Sequence, residues 1–213
     1  MMPIGDPPTH RSLSMANDID RGLADAVSCA EWLRAHERAE RTTEGLAGRL
    51  VACIRAGGRI LTCGNGGSMC DAMHFAEELS GRYRKDRRAL PAQAMSDPAH
   101  LTCAANDWGF DKVFARGVEA WGKRGDALIV FSTSGNSPNL LAAAAAAKAL
   151  GMDVLGLLGG DGGPLKPLCD LSLVVPGSTP DRIQEVHMTA VHLIVEQIER
   201  QLFPENYRDD STG

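Results

Sequence analysis

The spacing of hydrophobic positions divides the chain into a helical first part and a longer part in which apolar runs alternate with helical patterns. Between positions 15 and 39 the apolar residues share one helical face, namely Ile19, Leu23, Ala26, Val27, Ala30 and Leu33. Thr42 or Thr43 is typical of a helix N-cap, and Gly57 and Gly58 are typical of a helix end. The sequence therefore predicts two helices before the first strand, which cover a sheet face, form an oligomer contact, or do both.

Five short apolar segments of β type follow, with helical crossovers. They are residues 59–63, 91–96, 126–132, 154–158 and 171–175. The third is almost continuously apolar, as expected for a parallel strand that is buried on both faces. Strands that alternate with helices predict an α/β fold, here a doubly wound three-layer α/β/α sandwich with a five-stranded parallel sheet plus N-terminal helices.

The length of 213 residues is typical of one domain. Residues 1–14 contain three prolines and no apolar core of a signal peptide, which predicts a disordered leader. We expect a single domain over residues 15–203 and a flexible tail over residues 204–213. No apolar run reaches the roughly 18 residues that a membrane span requires, so no membrane contact is expected.

The charge and cysteine pattern narrows the class of protein further. A formal net charge of −5 argues against a nucleic-acid partner for the chain as a whole, and we interpret the basic run 84–88 as solvated surface. The six cysteines form no C-x-x-C pair, and they are Cys29, Cys53, Cys63, Cys70, Cys103 and Cys169. Cysteines without disulfide spacing fit a reducing compartment, so a cytoplasmic location is predicted.

Two loops of similar character follow apolar strands and precede helices. Residues 64–68 are rich in glycine, and residues 132–137 contain three serines and a threonine. Such loops lie at the carboxyl ends of parallel strands, where backbone N–H groups at a helix start can hold an anion. Neither loop has the lysine-containing pattern of P-loop NTPases or the dinucleotide-binding glycine pattern. Hydroxyl and amide groups in this position suit a sugar phosphate.

Candidate acid/base or metal-binding residues lie on two of the predicted helices. His74 and Glu78 are four residues apart, which places an imidazole and a carboxylate on one helical face. The last helix adds Gln184, His187 and His192. At about 100° per residue the two histidines lie on opposite sides of Gln184, so spacing alone does not choose between them.

Four strings of the sequence resemble the phosphoheptose isomerases (sedoheptulose 7-phosphate isomerases) of the sugar isomerase, or SIS, domain family. They are Cys-Gly-Asn-Gly-Gly-Ser at 63–68, Asp-Ala-Met-His-Phe-Ala-Glu-Glu-Leu-Ser-Gly-Arg-Tyr-Arg at 71–84, Ser-Thr-Ser-Gly-Asn-Ser at 132–137, and Asp-Arg-Ile-Gln-Glu-Val-His at 181–187. The resemblance extends over nearly all of residues 15–203. It implies a flavodoxin-like fold and a homotetramer with active sites at subunit interfaces.

The resemblance also implies the substrate-binding residues. The phosphate would be held by Ser132, Thr133, Ser134 and Ser137, with Asn65, Gly66, Gly67 and Ser68 beside the sugar. The remaining residues of the implied substrate-binding set are Glu78, Arg82, Asn106, Asp107, Asp181 and Gln184.

The metal ligands implied by the resemblance are His74, Glu78, Gln184 and His192, with one Zn²⁺ per active site. The choice of His192 over His187 comes from the resemblance. Because a neutral glutamine oxygen is a weak zinc ligand, partial occupancy is expected. Glu78 would be the base, and His192 its partner acid/base, for a ketose–aldose isomerisation through a cis-enediol(ate). The implied reaction converts D-sedoheptulose 7-phosphate to D-glycero-D-manno-heptose 7-phosphate, the first step of nucleotide-activated heptose biosynthesis, as in lipopolysaccharide formation.

Two other classes of SIS protein remain as alternatives. One relative has no catalytic activity and regulates replication initiation by binding the initiator DnaA, and the string Leu202-Phe203-Pro204 resembles its ending. That relative lacks the catalytic carboxylate and the second histidine, which stand here as Glu78 and His192. Sugar-phosphate sensors of the family are usually fused to a DNA-binding module, for which this chain has no room.

Overall fold

Five parallel strands form one sheet in the computed structural model, which describes residues 11–177 and 179–212. The strands are β1 (Ile60–Gly64), β2 (Ala92–Ala94), β3 (Ala127–Ser132), β4 (Asp153–Gly159) and β5 (Leu171–Val175), in the spatial order β2-β1-β3-β4-β5. From β1 the chain moves to β2 at one edge of the sheet, and from β3 it moves through β4 to β5 at the other edge. The strands on either side of this change, β1 and β3, are neighbours with Gly64 opposite Phe131. Ligands bind at such a change of direction in open α/β sheets. The loops after β1 and β3 therefore lie side by side at the binding edge.

Seven α-helices cover the two faces of this sheet in the described part of the chain. They are α1 (Arg11–Ala35), α2 (Glu37–Arg55), α3 (Gly67–Ser80), α4 (Pro98–Trp108), α5 (Val113–Trp121), α6 (Pro138–Leu150) and α7 (Pro180–Leu202). Helices α2, α3 and α7 pack on one face, with α1 outside them, and their side chains form one buried core. Helices α4, α5 and α6 form the second core on the other face. This confirms the predicted three-layer α/β/α sandwich.

The boundary between the first two helices differs from the prediction. Helix α2 begins at Glu37 rather than at position 42 or 43. The hydroxyl of Thr43 donates a hydrogen bond to the carbonyl of Ala39 at 2.8 Å, so this residue lies inside the helix instead of capping it. A threonine that bonds back to the preceding turn is compatible with a helix interior. The prediction of an N-cap at Thr42 or Thr43 is therefore wrong.

The chain ends can be compared with the predicted leader and tail only in part. Residues 1–10 lie outside the described residues, and residues 11–14 belong to α1. After α7, a 3-10 helix spans Pro204–Thr212, and the side chain of Tyr207 within it is buried. None of the helices formed by the described residues is long and apolar enough to cross a membrane.

The interpretation of the run 84–88 as solvated surface is wrong for Arg87. Its side chain is only 1% exposed, and its guanidinium pairs with the fully buried carboxylate of Glu199 at 2.7 Å. The remaining N–H groups donate to backbone carbonyls, including those of Glu78 and Leu79 near the end of α3. Arg87 thus takes up the terminal carbonyls of one helix and the buried charge of another.

Candidate active site

Three of the predicted residues converge between α3 and α7. The Nε2 atoms of His74 and His192 are 3.0 Å apart, and Oε1 of Glu78 lies 3.3 Å from the first and 3.9 Å from the second. His74 and Glu78 are one turn apart on α3, and α7 brings His192 opposite them. The geometry thus chooses His192 over His187, which spacing alone left open.

This trio suits a metal ion. Among the described residues, the trio is the one group of three or more His, Cys, Asp or Glu side chains whose ligand atoms all lie within 4.8 Å of one another. Two ligands of a tetrahedral ion at zinc distances are separated by about 3.3 Å, close to the separations found here. Two imidazoles and a carboxylate are a donor set that zinc and other divalent transition metals accept.

The trio is set in a partly desolvated environment. The side chain of Glu78 is 13% exposed, whereas those of His74 and His192 are 37% and 40% exposed. Burial raises the pKa of Glu78 and the neighbouring Glu77 adds to the rise, while His74 and His192 oppose it. A carboxylate whose pKa is raised is a stronger base once ionised, which suits proton abstraction.

An aromatic ring lies against His192. Tyr83, in the segment after α3, stacks on the imidazole with ring centres 6.0 Å apart and planes inclined by 21°. The guanidinium of Arg84 lies 4.9 Å from the centre of the tyrosine ring. Tyr83 is not among the site residues predicted from the sequence. Its place beside His192 depends on the chain turn after α3, which local periodicity does not describe.

The side chain of Gln184 lies against the glycine-rich loop. Its amide atoms occupy the space that a Cβ on Gly67 would need, at 2.6 and 2.7 Å. Glycine at position 67 therefore allows α7 to bring this amide next to the first turn of α3. Gln184 thus contacts the loop at 64–68, whereas the other three predicted metal ligands lie together between α3 and α7.

The glycine-rich loop leaves the start of α3 open. Gly66 precedes the helix with a φ of 56°, a conformation that side chains disfavour. No side-chain hydrogen bond of the described residues caps α3, but the N–H groups of Ser68 and Met69 donate to the backbone carbonyls of Asn65 and Gly66. What the helix start offers an anion is therefore mainly the positive end of its dipole. Ser68 is buried and Asn65 is half-buried, so the two predicted substrate ligands differ in accessibility.

The serine-rich loop is held by its own backbone and by a neighbouring loop. The N–H of Gly135 donates to the hydroxyl of Ser132 at 3.0 Å, and Ser132 is buried. Gly135 has a φ of 65° and packs against the backbone of Gly162 and Gly163, which leaves no space for a Cβ. Ser134 is exposed and Thr133 and Ser137 are half-buried. No described side chain caps α6, whose N-cap is Ser137.

The other predicted substrate ligands lie at exposed positions. Asn106 donates to Asp107 at 2.8 Å at the end of α4, and Cys103 is 3.6 Å from the same carboxylate. Arg82 follows α3 and Asp181 lies in the first turn of α7, and both are exposed. Their roles toward a substrate stay predictions.

His187 has a structural environment. It is completely buried, its Nε2 lies 3.1 Å from the carbonyl oxygen of Leu158, and its ring meets Phe131 edge-on. Burial lowers the pKa of His187 to about 4, with the Leu158 carbonyl opposing the change. A neutral imidazole packed beneath the sheet edge is therefore part of the core.

The chain is similar to known proteins over most of its length. The SIS domain family model matches residues 28–159. The chain is 54% identical over 174 residues to the phosphoheptose isomerase of Fusobacterium nucleatum, covering 82% of this chain and 90% of that protein. It is 53% identical over 190 residues to that of Vibrio cholerae, covering 88% and 100%. The solved structure of a phosphoheptose isomerase from Francisella tularensis superposes with a TM-score of 0.83 at 34% identity, covering 87% and 98%. The family match includes both loops, His74 and Glu78.

Proposed function

The chain belongs to the SIS domain family, and we propose that it acts as a phosphoheptose isomerase that converts D-sedoheptulose 7-phosphate to D-glycero-D-manno-heptose 7-phosphate. Identities above 50% with phosphoheptose isomerases over most of the chain support this assignment. The observation that carries it is the convergence of Glu78, His74 and His192 within 4 Å between α3 and α7. The DnaA-binding alternative is not favoured, because the relatives named above are phosphoheptose isomerases and because Glu78 and His192 are both present.

The reaction moves one proton between adjacent carbons of the sugar. The carboxylate of Glu78 removes a proton from C1 of the ketose while the carbonyl oxygen at C2 gains one, which gives the cis-enediol. Returning a proton to C2 and removing the one on O1 then yields the aldose. His192, 3.9 Å from the Glu78 carboxylate, is placed to exchange the oxygen-bound protons. The raised pKa of Glu78 favours its role as the base.

We propose Zn²⁺ as the ion that the trio binds, with Gln184 as a fourth, weaker ligand. The two imidazoles and the carboxylate fit such an ion by donor type and by their mutual distances. When bound, the ion would supply Lewis-acid stabilisation of the negative charge on the substrate oxygens. In this structure the amide of Gln184 contacts Gly67, about two turns of α3 before His74, so its role as a ligand rests on the resemblance alone.

The substrate phosphate is proposed to bind at the start of α6. The exposed and half-buried hydroxyls of Ser134, Thr133 and Ser137 supply donors for a phosphate, and the positive end of the α6 dipole adds attraction. The backbone of the first turn adds little, because Pro138 has no N–H and the N–H groups of Leu140 and Leu141 donate to the carbonyl of Ser137. Asn65 would face the sugar from the neighbouring loop. Asn106, Asp107, Arg82 and Asp181 complete the proposed substrate-binding set as the resemblance implies.

A homotetramer with active sites at its interfaces would cover an apolar stripe on α1. Ile19, Leu23 and Val27 lie at four-residue spacing and are 64%, 62% and 57% exposed. Met73 and Leu193, beside His74 and His192 in sequence, are also exposed. Light scattering on the wild type and on Leu23→Glu tests this, since a charge within the stripe should reduce the mass to that of a smaller assembly.

The six cysteines, all free, favour a reducing cytoplasm.

The direct test is turnover of sedoheptulose 7-phosphate by the purified, zinc-supplemented protein, with Glu78→Gln as the matched inactive variant. Formation of the aldose phosphate by the wild type alone would support the isomerase assignment and the base. A folded wild type that binds the sugar phosphate without turning it over would overturn it. Capture of DnaA by that inactive protein would then favour the regulatory class.

A further inference from the structure

A pair of asparagines joins the two loops of the proposed site. The amide nitrogen of Asn65 donates to Oδ1 of Asn139 at 2.9 Å, and the amide nitrogen of Asn139 donates back to Oδ1 of Asn65 at 2.9 Å. Asn65 lies in the loop at 64–68, and Asn139 lies in the first turn of α6, directly after the loop at 132–137. One side-chain pair thus connects the loop beside the sugar with the helix start that would hold the phosphate.

The burial of Asn139 makes this connection specific. Asn139 is only 2% exposed, so water does not compete for its amide. Reciprocal bonding requires both the carbonyl and the NH₂ group of each partner, which fixes the orientation of both amides. Asn65 is only half-buried, and each of its amide atoms retains bonding capacity beyond the pair. The part of the Asn65 amide that does not bond Asn139 is therefore held in one orientation toward the binding edge.

The topology explains why such a connection is needed. Strands β1 and β3 are adjacent, with Gly64 opposite Phe131, so the two loops begin at the same level of the sheet. Beyond that point each loop is glycine-containing and turns into its own helix. A fixed distance between them has to come from side chains, and the amide pair supplies it.

We propose that Asn139 is a positioning residue, which fixes Asn65 and the loop at 64–68 relative to the phosphate-binding loop. The proposal rests on the isomerase function proposed above and deepens it. Asn139 itself does not take part in proton transfer. Its removal should impair the orientation of the sugar while the phosphate loop, held by Ser132 and Gly135, keeps its shape.

Two substitutions separate the pair from general packing. In Asn139→Asp the carboxylate still accepts from the Asn65 amide but cannot donate to its carbonyl, and two oxygens then face each other. Asn139→Leu removes both bonds at similar volume. Each should lower kcat/KM by about 10- to 100-fold, the range expected when a substrate group is displaced by up to about 1 Å. The inhibition constant of inorganic phosphate should change by less than about twofold, since the phosphate loop is intact.

The decisive measurement is a double-mutant cycle with Asn65→Ala. If Asn139 acts through Asn65, adding Asn139→Leu to Asn65→Ala should cause no further loss of kcat/KM. An equal further loss would overturn the proposal, as would folded Asn139 variants with unchanged kcat/KM or a parallel weakening of phosphate inhibition. Asn206→Asp is the matched control for an asparagine-to-aspartate change. Asn206 lies far along the chain and donates a hydrogen bond to the carbonyl of Asp86.

Binding is measured beside turnover so that the two proposals can fail separately. Calorimetry with sedoheptulose 7-phosphate and with inorganic phosphate should show weaker sugar-phosphate binding and unchanged phosphate binding in Asn139→Leu. A wild type that binds the sugar phosphate without turnover would overturn the isomerase function. The role of Asn139 would still be decided by comparing how much Asn139→Leu weakens the binding of sedoheptulose 7-phosphate and of inorganic phosphate. Thermal unfolding of each variant confirms that the compared proteins are folded.

Discussion

Helices α3 and α7 are joined by two ionisable clusters that differ in exposure and in chemistry. The first is the trio of His74, Glu78 and His192, whose side chains are 13–40% exposed. The second consists of Arg87, Glu199 and Tyr207, in which the arginine and the carboxylate are 1% and 0% exposed. His192 and Glu199 are seven residues apart on α7, so both face α3.

Glu78 takes part in both clusters, and this shows how the work is divided. Its carboxylate belongs to the exposed trio, while its carbonyl oxygen accepts a hydrogen bond from Arg87 at 2.6 Å. In the buried cluster the charges are mutually satisfied, because Glu199 also accepts from the hydroxyl of Tyr207 at 2.8 Å. In the trio the two imidazole nitrogens and the carboxylate oxygen face one another and a solvent-accessible space. The first arrangement stabilises the fold, and the second is the arrangement proposed to bind a ligand.

Glu78→Gln should produce the largest effect and should act on activity alone. Loss of a general base typically costs about 10²- to 10⁴-fold in rate, so kcat should fall at least 100-fold. The free energy of unfolding should stay the same or rise, since a partly desolvated carboxylate with a raised pKa is replaced by a neutral amide. Steady-state kinetics and urea unfolding measure the two quantities. A variant that lost stability along with activity would show that the trio is also structural.

Arg87→Met should have the opposite pattern, with a large loss of stability. It leaves the carboxylate of Glu199 buried without its cation, and removing one partner of a buried pair costs about 3–5 kcal/mol. The same side chain also holds the terminal carbonyls of α3, so urea unfolding should show a lower midpoint.

Lys85→Met is the matched control, because Lys85 is an exposed cation of the same run. It should change the free energy of unfolding by less than about 0.5 kcal/mol. Adding Glu199→Gln to Arg87→Met should recover part of the loss, since the unpaired charge is removed. Similar effects of Lys85→Met and Arg87→Met would contradict the division between the two clusters.

The two histidines of α7 sharpen the comparison through pH. His187 has a pKa of about 4 in the folded state because it is buried, whereas an unfolded histidine titrates near 6.5. The unfolded state therefore binds more protons between these values, and stability falls as the pH falls. Between pH 7 and pH 5 this group should cost about 2 kcal/mol. Urea unfolding of the wild type and of His187→Gln across this range measures it.

The difference between the two unfolding curves isolates His187 from other groups. Burial raises the pKa of Asp71 to about 6, which gives a contribution of the opposite sign over nearly the same range. That contribution is common to both proteins and cancels in the difference. Equal pH dependence of the wild type and His187→Gln would mean that the imidazole is accessible to protons in the folded state.

The same contrast explains what could be predicted from the sequence. The strand–loop–helix units and the His74 and Glu78 pair were predicted because each depends on neighbours within a few residues. Arg87 was misread because its partner Glu199 lies 112 positions away, and a basic run gives no sign of a buried partner. Asn139 was missed for the same reason, since Asn65 is 74 positions away. Side-chain pairs between distant elements follow from the fold and not from local pattern.

Apart from the control Lys85→Met, Tyr207→Phe should produce the smallest effect, and it tests whether the clusters are independent. The hydroxyl donates to Glu199, but the carboxylate keeps Arg87, so the loss should be about 1.5 kcal/mol, the low end for a hydrogen bond to a charged group. Urea unfolding should show this loss with an unchanged slope, and kcat/KM should stay within about twofold of the wild type. A tenfold loss of kcat/KM in a folded Tyr207→Phe variant would contradict independence. It would mean that the segment after α7 acts through Glu199 and Arg87 on the backbone of Glu78, so that the buried cluster positions the base as well as stabilising the fold.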